Sequence, residues 1–423
     1  MSTAAVASTS RWAGFGVTIF GGLAAFSAYF SMYAFRKPFT AGTFEQVSGW
    51  TSALDFKVAL VIAQVAGYAL SKIIGVKVIS EMTPSRRAGA IIGLILASWA
   101  ALLLFAVAPP SLKIVALFLN GLPLGLIWGL VFGYLEGRRT SEVLGAMLCA
   151  SFIVASGVVK SVAVWLMVDF GVTEWWMPAA TGALFLPILL VSVWGLSRLA
   201  PPDAADIAAR TERRPMSPAE RRALFAAYAP GLLIIIAAYV LFTAFRDFRD
   251  NFAAEIWTAL GQGGVSSVFT ASEAPVAVAT LVVLGSLMLI KDNKKALMAM
   301  HGVCAFGCML IGLSTAAFQA GWVSPLWWMI LSGAGLYFAY TPFNAMLFDR
   351  LIAATRQVAT AGFLIYLADA SGYVGSVVLM LYRNFGAADL DWLSFFTMGA
   401  YVGSVLGVIL TFASGVYFWR RVR

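Results

Sequence analysis

The chain has 423 residues, of which 61% are hydrophobic and only 12% are charged, and its mean hydropathy is +0.86. Soluble globular domains carry about 25% charged residues, so this composition excludes a soluble protein and predicts an all-α integral membrane protein. The formal net charge is +9. Its Lys and Arg residues stand at the ends of apolar segments, which predicts membrane orientation and argues against nucleic-acid binding.

Twelve apolar segments follow one another along the chain, each close to the ~20 residues that cross a ~30 Å hydrocarbon core as a helix. The first resembles a signal peptide, but it is too long and lacks a cleavage site, so it is predicted as a transmembrane helix. The predicted spans are residues 13–36, 57–80, 88–108, 112–135, 143–168, 176–197, 225–246, 266–290, 296–317, 324–347, 359–382 and 393–418.

A segment rich in proline and charged residues separates the sixth span from the seventh. It predicts an N-terminal six-helix half (1–197), a cytoplasmic linker (198–224) and a C-terminal six-helix half (225–423). Two such halves that rock around a midplane site are the architecture of the major facilitator superfamily. Alternate connections carry the cations, so both termini are expected in the cytoplasm of a bacterial inner-membrane protein. These cations are Arg86, Arg87, Arg138, Arg139, Lys291, Lys294, Lys295, Arg350, Arg356, Arg420, Arg421 and Arg423.

Metal and cofactor chemistry has little support in the sequence. Cys149, Cys304 and Cys308 all lie in apolar segments, where they are interpreted as small core residues. A single histidine, His301, is insufficient for the usual zinc sites. We therefore expect no metal, no cofactor and no catalytic residues.

Ionisable side chains inside the predicted spans are the strongest functional signal, because each costs about 2.5–3.5 kcal/mol on membrane-insertion scales. The first span ends with Tyr29, Tyr33 and Arg36 at i, i+4 and i+7, followed by Lys37. In a continuous helix these positions share one stripe, which predicts a binding surface. The alternative is an interfacial belt of tyrosines with cations extending outward to the headgroups.

Further ionisable groups lie in later spans. Tyr68 and Lys72 are four residues apart in the second span, although Lys72 alone could extend to the interface. Arg246 ends the seventh span, where it could bind a ligand or form a surface pair with Asp250.

Two carboxylates lie well inside their spans: Glu273 in the eighth and Asp369 in the eleventh. A carboxylate in that setting either pairs with a cation or titrates as a coupling group. Lys160 in the fifth span could be such a partner or part of a cavity wall.

These residues make the chain resemble the organophosphate:phosphate antiporters of the major facilitator superfamily. The motif Tyr-x3-Tyr-x2-Arg-Lys-x-Phe is present as Tyr29, Tyr33, Arg36, Lys37 and Phe39, and Tyr-x2-Ser-Lys as Tyr68, Ser71 and Lys72. The resemblance implies that Arg36 and Arg246 clamp a phosphate from the two halves, with Lys72 and the tyrosines beside them. It also implies that Glu273 is the family's eighth-span glutamate. The family's fifth-span histidine has no counterpart here, whereas Lys160 lies further along that span.

The expected function is secondary active transport of a small anionic solute. The resemblance implies an organophosphate of the sugar or glycerol phosphate type, exchanged for inorganic phosphate or coupled to protons. Guanidinium groups suit this cargo because their planar donors bind phosphate oxygens bidentately. We expect a monomer in the lipid bilayer that does not bind nucleic acid. The alternatives are a membrane sensor of an organophosphate and a proton-coupled transporter of another solute.

Overall fold

The described residues of the chain are 3–45, 47–80, 82–136, 138, 140–201, 206, 218–355 and 361–422 of a computed structural model. They are almost entirely helical. Residues 202–205 and 207–217 of the predicted linker lie outside the described residues, as do the predicted cytoplasmic cations Arg139, Arg356 and Arg423.

Six long helices make up the N-terminal bundle, with a short 3-10 helix at Pro38–Ala41 after the first of them. They are α1 (Thr3–Tyr33), α2 (Phe56–Ser80), α3 (Pro84–Val107), α4 (Pro110–Leu135), α5 (Ser141–Phe170) and α6 (Met177–Ser197).

The C-terminal bundle contains six further long helices and two short ones. They are α7 (Pro218–Asn251), α8 (Ala253–Ala259), α9 (Ser267–Met288), α10 (Asn293–Gln319), α11 (Pro325–Pro342), α12 (Phe348–Thr355), α13 (Ala361–Leu381) and α14 (Trp392–Arg421). Single π-helical turns follow α11 and α13, at Phe343–Leu347 and Tyr382–Gly386.

Each of the twelve predicted spans lies on one of the long helices, so the prediction of an all-α, multi-pass membrane protein is confirmed. Among the described residues, nine helices have the length and hydropathy of a membrane span. The other three predicted spans lie on α1, α11 and α13.

The ends of several helices differ from the sequence prediction. Helix α1 ends at Tyr33 rather than at residue 36, because Pro38 has no backbone N–H to donate to Ala34 and its ring would clash with that carbonyl in a continued helix. The predicted helical stripe through Tyr29, Tyr33 and Arg36 is therefore wrong at Arg36, which lies in a turn. Helix α7 begins at Pro218, inside the predicted linker, and it is kinked at Tyr228.

Each bundle packs mainly on itself, and two pairs of long helices make the main contacts between the bundles. Within the N-terminal bundle α2 packs on α4, and α1 packs on α5 and α6. Between the bundles α5 packs against α9 and α2 packs against α13. The α5–α9 crossing is so close that a Cβ at Gly157 would lie 2.6 Å from the backbone oxygen of Phe269, so this position requires glycine. Small residues allow such backbone contact in membrane bundles.

Candidate functional site

The turn after α1 carries two of the predicted binding residues, and buried amides hold it in place. Gln64 on α2 donates to the backbone oxygen of Arg36 at 2.9 Å, and Asn120 on α4 donates to that of Phe35 at 2.9 Å. Gln64 also donates to Asn120 Oδ1 at 2.7 Å. Both amides are buried. Because buried polar groups require partners, this network fixes a turn that leaves the helix early.

Arg36 is held by aromatic faces rather than by a carboxylate. Its guanidinium carbon lies 3.8 Å from the ring centroid of Tyr68 and 5.8 Å from that of Tyr33. The Tyr29 ring packs edge-on to Tyr33 at 5.7 Å. Among the described residues no acidic group forms an ion pair with Arg36, and its buried Nε has no hydrogen-bond partner. Arg36 is thus a cation with hydrogen-bond donors left to use.

Arg246 on α7 approaches the same region from the C-terminal bundle. Its guanidinium carbon lies 4.2 Å from the ring centroid of Tyr340, and its Nη2 pairs with Asp247 at 2.5 Å. Tyr33 interacts electrostatically with both Arg36 and Arg246. The two predicted arginines therefore come from different bundles, and both lie within electrostatic range of Tyr33.

Lys37 and Lys160 share one carboxylate across the bundle boundary. Lys37 Nζ lies 2.5 Å from Asp250 Oδ2, and Lys160 Nζ lies 2.5 Å from Asp250 Oδ1. Ser156 also donates to Oδ1. This arrangement gives Lys160 the partner that the sequence left undetermined. It also rules out the alternative surface pair between Arg246 and Asp250.

Another ion pair joins the bundles through Lys72 on α2 and Asp369 on α13, with Nζ and Oδ2 3.0 Å apart. Tyr239 on α7 donates to Asp369 Oδ1 at 2.5 Å. The partner of Asp369 is therefore Lys72 and not Lys160, one of the sequence-based candidates.

Glu273 pairs within the C-terminal bundle. Its Oε1 accepts from Arg249 Nη1 at 2.6 Å, and Arg249 Nη2 donates to the backbone oxygen of Met329 at 2.8 Å. Sequence reasoning missed Arg249, although it lies three residues after Arg246, the spacing of one helical turn. The sequence analysis also missed a buried ion pair between Lys57 and Glu255, 2.5 Å apart. Lys57 is the first residue of a predicted span, where a lysine is ordinary.

The charges around Arg36 do not cancel. Apart from the neutral Lys57–Glu255 pair, which also joins the bundles, six cations and four carboxylates of the described residues lie near this boundary, an excess of two positive charges. The cations are Arg36, Lys37, Lys72, Lys160, Arg246 and Arg249, and the carboxylates are Asp247, Asp250, Glu273 and Asp369. An ordered set of this charge is chemically suited to bind a dianion.

No metal-binding group of three or more His, Cys, Asp or Glu side chains occurs in the part of the chain that the structure describes. Cys149, Cys304 and Cys308 are buried and form no disulfide. His301 is fixed by Leu297 O at 2.8 Å and by Ser414 Oγ at 3.0 Å, which is a structural role.

Solved structures of transporters share the fold. A D-xylose–proton symporter has a TM-score of 0.64 at 13% identity, over 97% of this chain and 98% of that one. A peptide transporter in complex with sulfate has a TM-score of 0.62 at 15% identity, over 96% and 95%. A nucleoside transporter has a TM-score of 0.61 at 13% identity, over 95% and 100%. The chain therefore has the fold of major facilitator superfamily transporters.

Sequence comparison gives a family without an assigned activity. The family model described as "Family of unknown function (DUF5690)" matches residues 38–421. No curated protein matches the chain significantly in sequence.

Proposed function

We propose that this chain, which belongs to the DUF5690 family, is a secondary active transporter of a small anionic solute, with an organophosphate as its preferred cargo. The observation that carries the proposal is Arg36. This half-buried guanidinium lies at the boundary between two bundles, against Tyr68 and Tyr33, and no carboxylate among the described residues pairs with it.

The charge of the site supports a phosphate monoester. Such a group carries about −1.5 to −2 charges at pH 7, which matches the excess of two positive charges around Arg36. Guanidinium donors are planar and bind phosphate oxygens in pairs. Arg36 and Arg246 together offer one such group from each bundle, and Lys72 adds a point charge. The rings of Tyr68 and Tyr340 hold the two guanidinium groups in place by cation–π contact.

The position of the site supports alternating access. An anion that contacts Arg36 and Arg246 together bridges the bundles and lowers the free energy of a closed state only while it is bound. In this proposal the protein lies in a bacterial inner membrane with both termini in the cytoplasm. Inorganic phosphate is then the natural counter-substrate, and Glu273 and Asp369 are candidate coupling groups for a proton.

The proposal is tested by phosphate counterflow in vesicles that contain the purified protein. Vesicles loaded with unlabelled phosphate should take up ³²P-phosphate, and an external phosphate monoester should compete. Arg36→Ala and Arg246→Ala should each lower the rate by on the order of 100-fold, since each removes one or two charge-assisted hydrogen bonds of about 1.5–3 kcal/mol.

Arg383→Ala is the matched control. Arg383 is a cation that also lies on an aromatic ring, 4.2 Å from the centroid of Trp392, but it lies in the π-helical turn after α13. This variant should keep the rate of the unmodified protein. Normal counterflow in Arg36→Ala and Arg246→Ala would refute the arginine clamp. Phosphate binding with negligible flux would instead identify a sensor.

A further inference from the structure

The pair formed by Lys72 and Asp369 joins the anion site to a buried carboxylate of the opposite bundle. Lys72 Nζ lies 5.6 Å from the centroid of the Tyr68 ring, and the Arg36 guanidinium lies 3.8 Å from the same centroid. Lys72 is therefore a neighbour of the unpaired arginine. Its present partner is Asp369 at 3.0 Å, and both side chains are largely buried, with exposed fractions of 23% and 11%.

The groups that face Asp369 come from four helices. Lys72 on α2 and Tyr239 on α7 contact its carboxylate, and three further phenols lie within electrostatic range: Tyr68 on α2, Tyr340 on α11 and Tyr373 on α13. Tyr239 donates to Oδ1 and itself lies 3.3 Å from the Tyr340 hydroxyl. Within the described residues, Lys72 is the cation that pairs with Asp369. If Lys72 turns to another anion, the carboxylate keeps a hydrogen bond from Tyr239 but loses its counter-charge.

We infer that Asp369 is the proton-binding group of the transport cycle. An anion that binds Arg36 draws the Lys72 ammonium away from Asp369, and the carboxylate then takes a proton from water on the same side of the membrane. A buried carboxylate without a cation is costly, and protonation removes that cost. When the anion leaves on the other side, Lys72 returns and Asp369 Oδ2 gives the proton up. One proton thus accompanies each anion. This inference rests on the proposed function, and it means that the anion and the proton cross the membrane in the same direction, as in a symporter.

The other carboxylates of the site are less suited to this role. Asp250 holds two lysines, so the loss of one still leaves it paired. Glu273 and Arg249 both lie in the C-terminal bundle, so their pair does not span the moving boundary. Asp369 combines a single ion-pair partner, a position across the boundary and contact with the anion site.

The experiment compares the unmodified protein with Asp369→Asn in vesicles, with ³²P-phosphate as the probe and the membrane potential clamped at zero. With an inward proton gradient of one pH unit, the unmodified protein should accumulate phosphate by on the order of tenfold more than without the gradient. Asp369→Asn should lose this accumulation but keep counterflow of labelled for unlabelled phosphate. Phosphate has its own protonation equilibrium, but this is the same with both proteins, so the difference between them reports Asp369.

Asp391→Asn is the matched control. Asp391 caps α14 by accepting from the backbone N–H of Ser394 at 2.9 Å, a role that Asn fills equally well. This variant should accumulate phosphate like the unmodified protein. Gradient-driven accumulation by Asp369→Asn would overturn the inference. So would an equal loss of counterflow and accumulation, because that result indicates a purely structural ion pair. If the unmodified protein shows no counterflow, the proposed function itself has failed.

Tyr239→Phe gives a second readout that a structural role would not affect. It removes the hydroxyl that donates to Asp369 Oδ1 and thereby stabilises the ionised carboxylate less. The pH dependence of phosphate accumulation should therefore move toward higher pH, while counterflow persists. A uniform loss of rate at every pH, without a shift of the profile, would contradict the assignment.

Discussion

Replacement of Asn120 by Leu tests whether the position of Arg36 depends on buried amides rather than on a helix. The Asn120 amide donates to Phe35 O at 2.9 Å, to Ser98 Oγ at 2.6 Å and to Ser98 O at 3.1 Å, and it accepts from Gln64 at 2.7 Å. Leu fills a similar volume but satisfies none of these groups.

Two effects of Asn120→Leu can be estimated separately. Each buried group left without a partner costs about 1–3 kcal/mol, so the free energy of unfolding should fall by about 3 kcal/mol or more. The turn also loses the bond at Phe35 that fixes the residue before Arg36. Misplacement of Arg36 should remove about one charge-assisted bond to the anion, about 1.5–3 kcal/mol, which is a loss of phosphate affinity of about tenfold to a hundredfold.

The assay measures the melting temperature in detergent and the phosphate concentration that half-saturates counterflow. Thr315→Val is the matched control, because Thr315 is a fully buried polar residue that accepts from Trp328 Nε1 at 3.1 Å in the C-terminal bundle. It should lower the melting temperature and leave phosphate affinity unchanged. If Asn120→Leu lowers the melting temperature and likewise leaves affinity unchanged, the amides do not position Arg36 and the reasoning fails.

Two further predictions concern the buried Lys57–Glu255 pair and the Tyr68 ring. Lys57→Met leaves Glu255 buried without its cation, so the free energy of unfolding should fall by about 3–5 kcal/mol. The double variant Lys57→Met with Glu255→Gln should regain most of the lost melting temperature. If it does not, the unpaired Glu255 is not the cause of the lost stability. Tyr68→Phe keeps the ring face under Arg36 and should change phosphate affinity by less than about threefold. Tyr68→Leu removes that face and should weaken the binding free energy of phosphate by about 0.5–2 kcal/mol. Equal affinities in these two variants would contradict the cation–π contact.

The fold was accessible from the sequence because lipid imposes a simple rule. Every backbone polar group inside a membrane must be satisfied within its own segment, so twelve apolar segments predict twelve helices. The proline-dependent details were less accessible. Pro38 ends α1 before Arg36, and the buried amides that then fix the turn come from α2 and α4, which hydropathy does not relate to one another.

The cations of the site could be named from the sequence, but their partners could not. A charged residue inside a span is anomalous wherever it lies, so Arg36, Lys72 and Lys160 were recognisable individually. Ion pairs across the boundary join residues that are distant in the chain, 90 positions apart for Lys160 and Asp250 and 297 for Lys72 and Asp369. Glu255 was missed for the same reason, because it pairs with Lys57 across the boundary. Arg249 pairs with Glu273 only 24 positions away, and its helical spacing after Arg246 was a signal that could have found it. The assignment of Arg36, Arg246 and their neighbours to substrate binding stays a prediction.

Competition in the counterflow assay tests the central claim, which is that the cargo is an anion. Phosphate-loaded vesicles take up ³²P-phosphate in the presence of an excess of either glycerol phosphate or glycerol. The charge around Arg36 predicts that the phosphate monoester inhibits uptake and that the uncharged alcohol does not. Absence of phosphate counterflow, or equal inhibition by both compounds, would contradict the account.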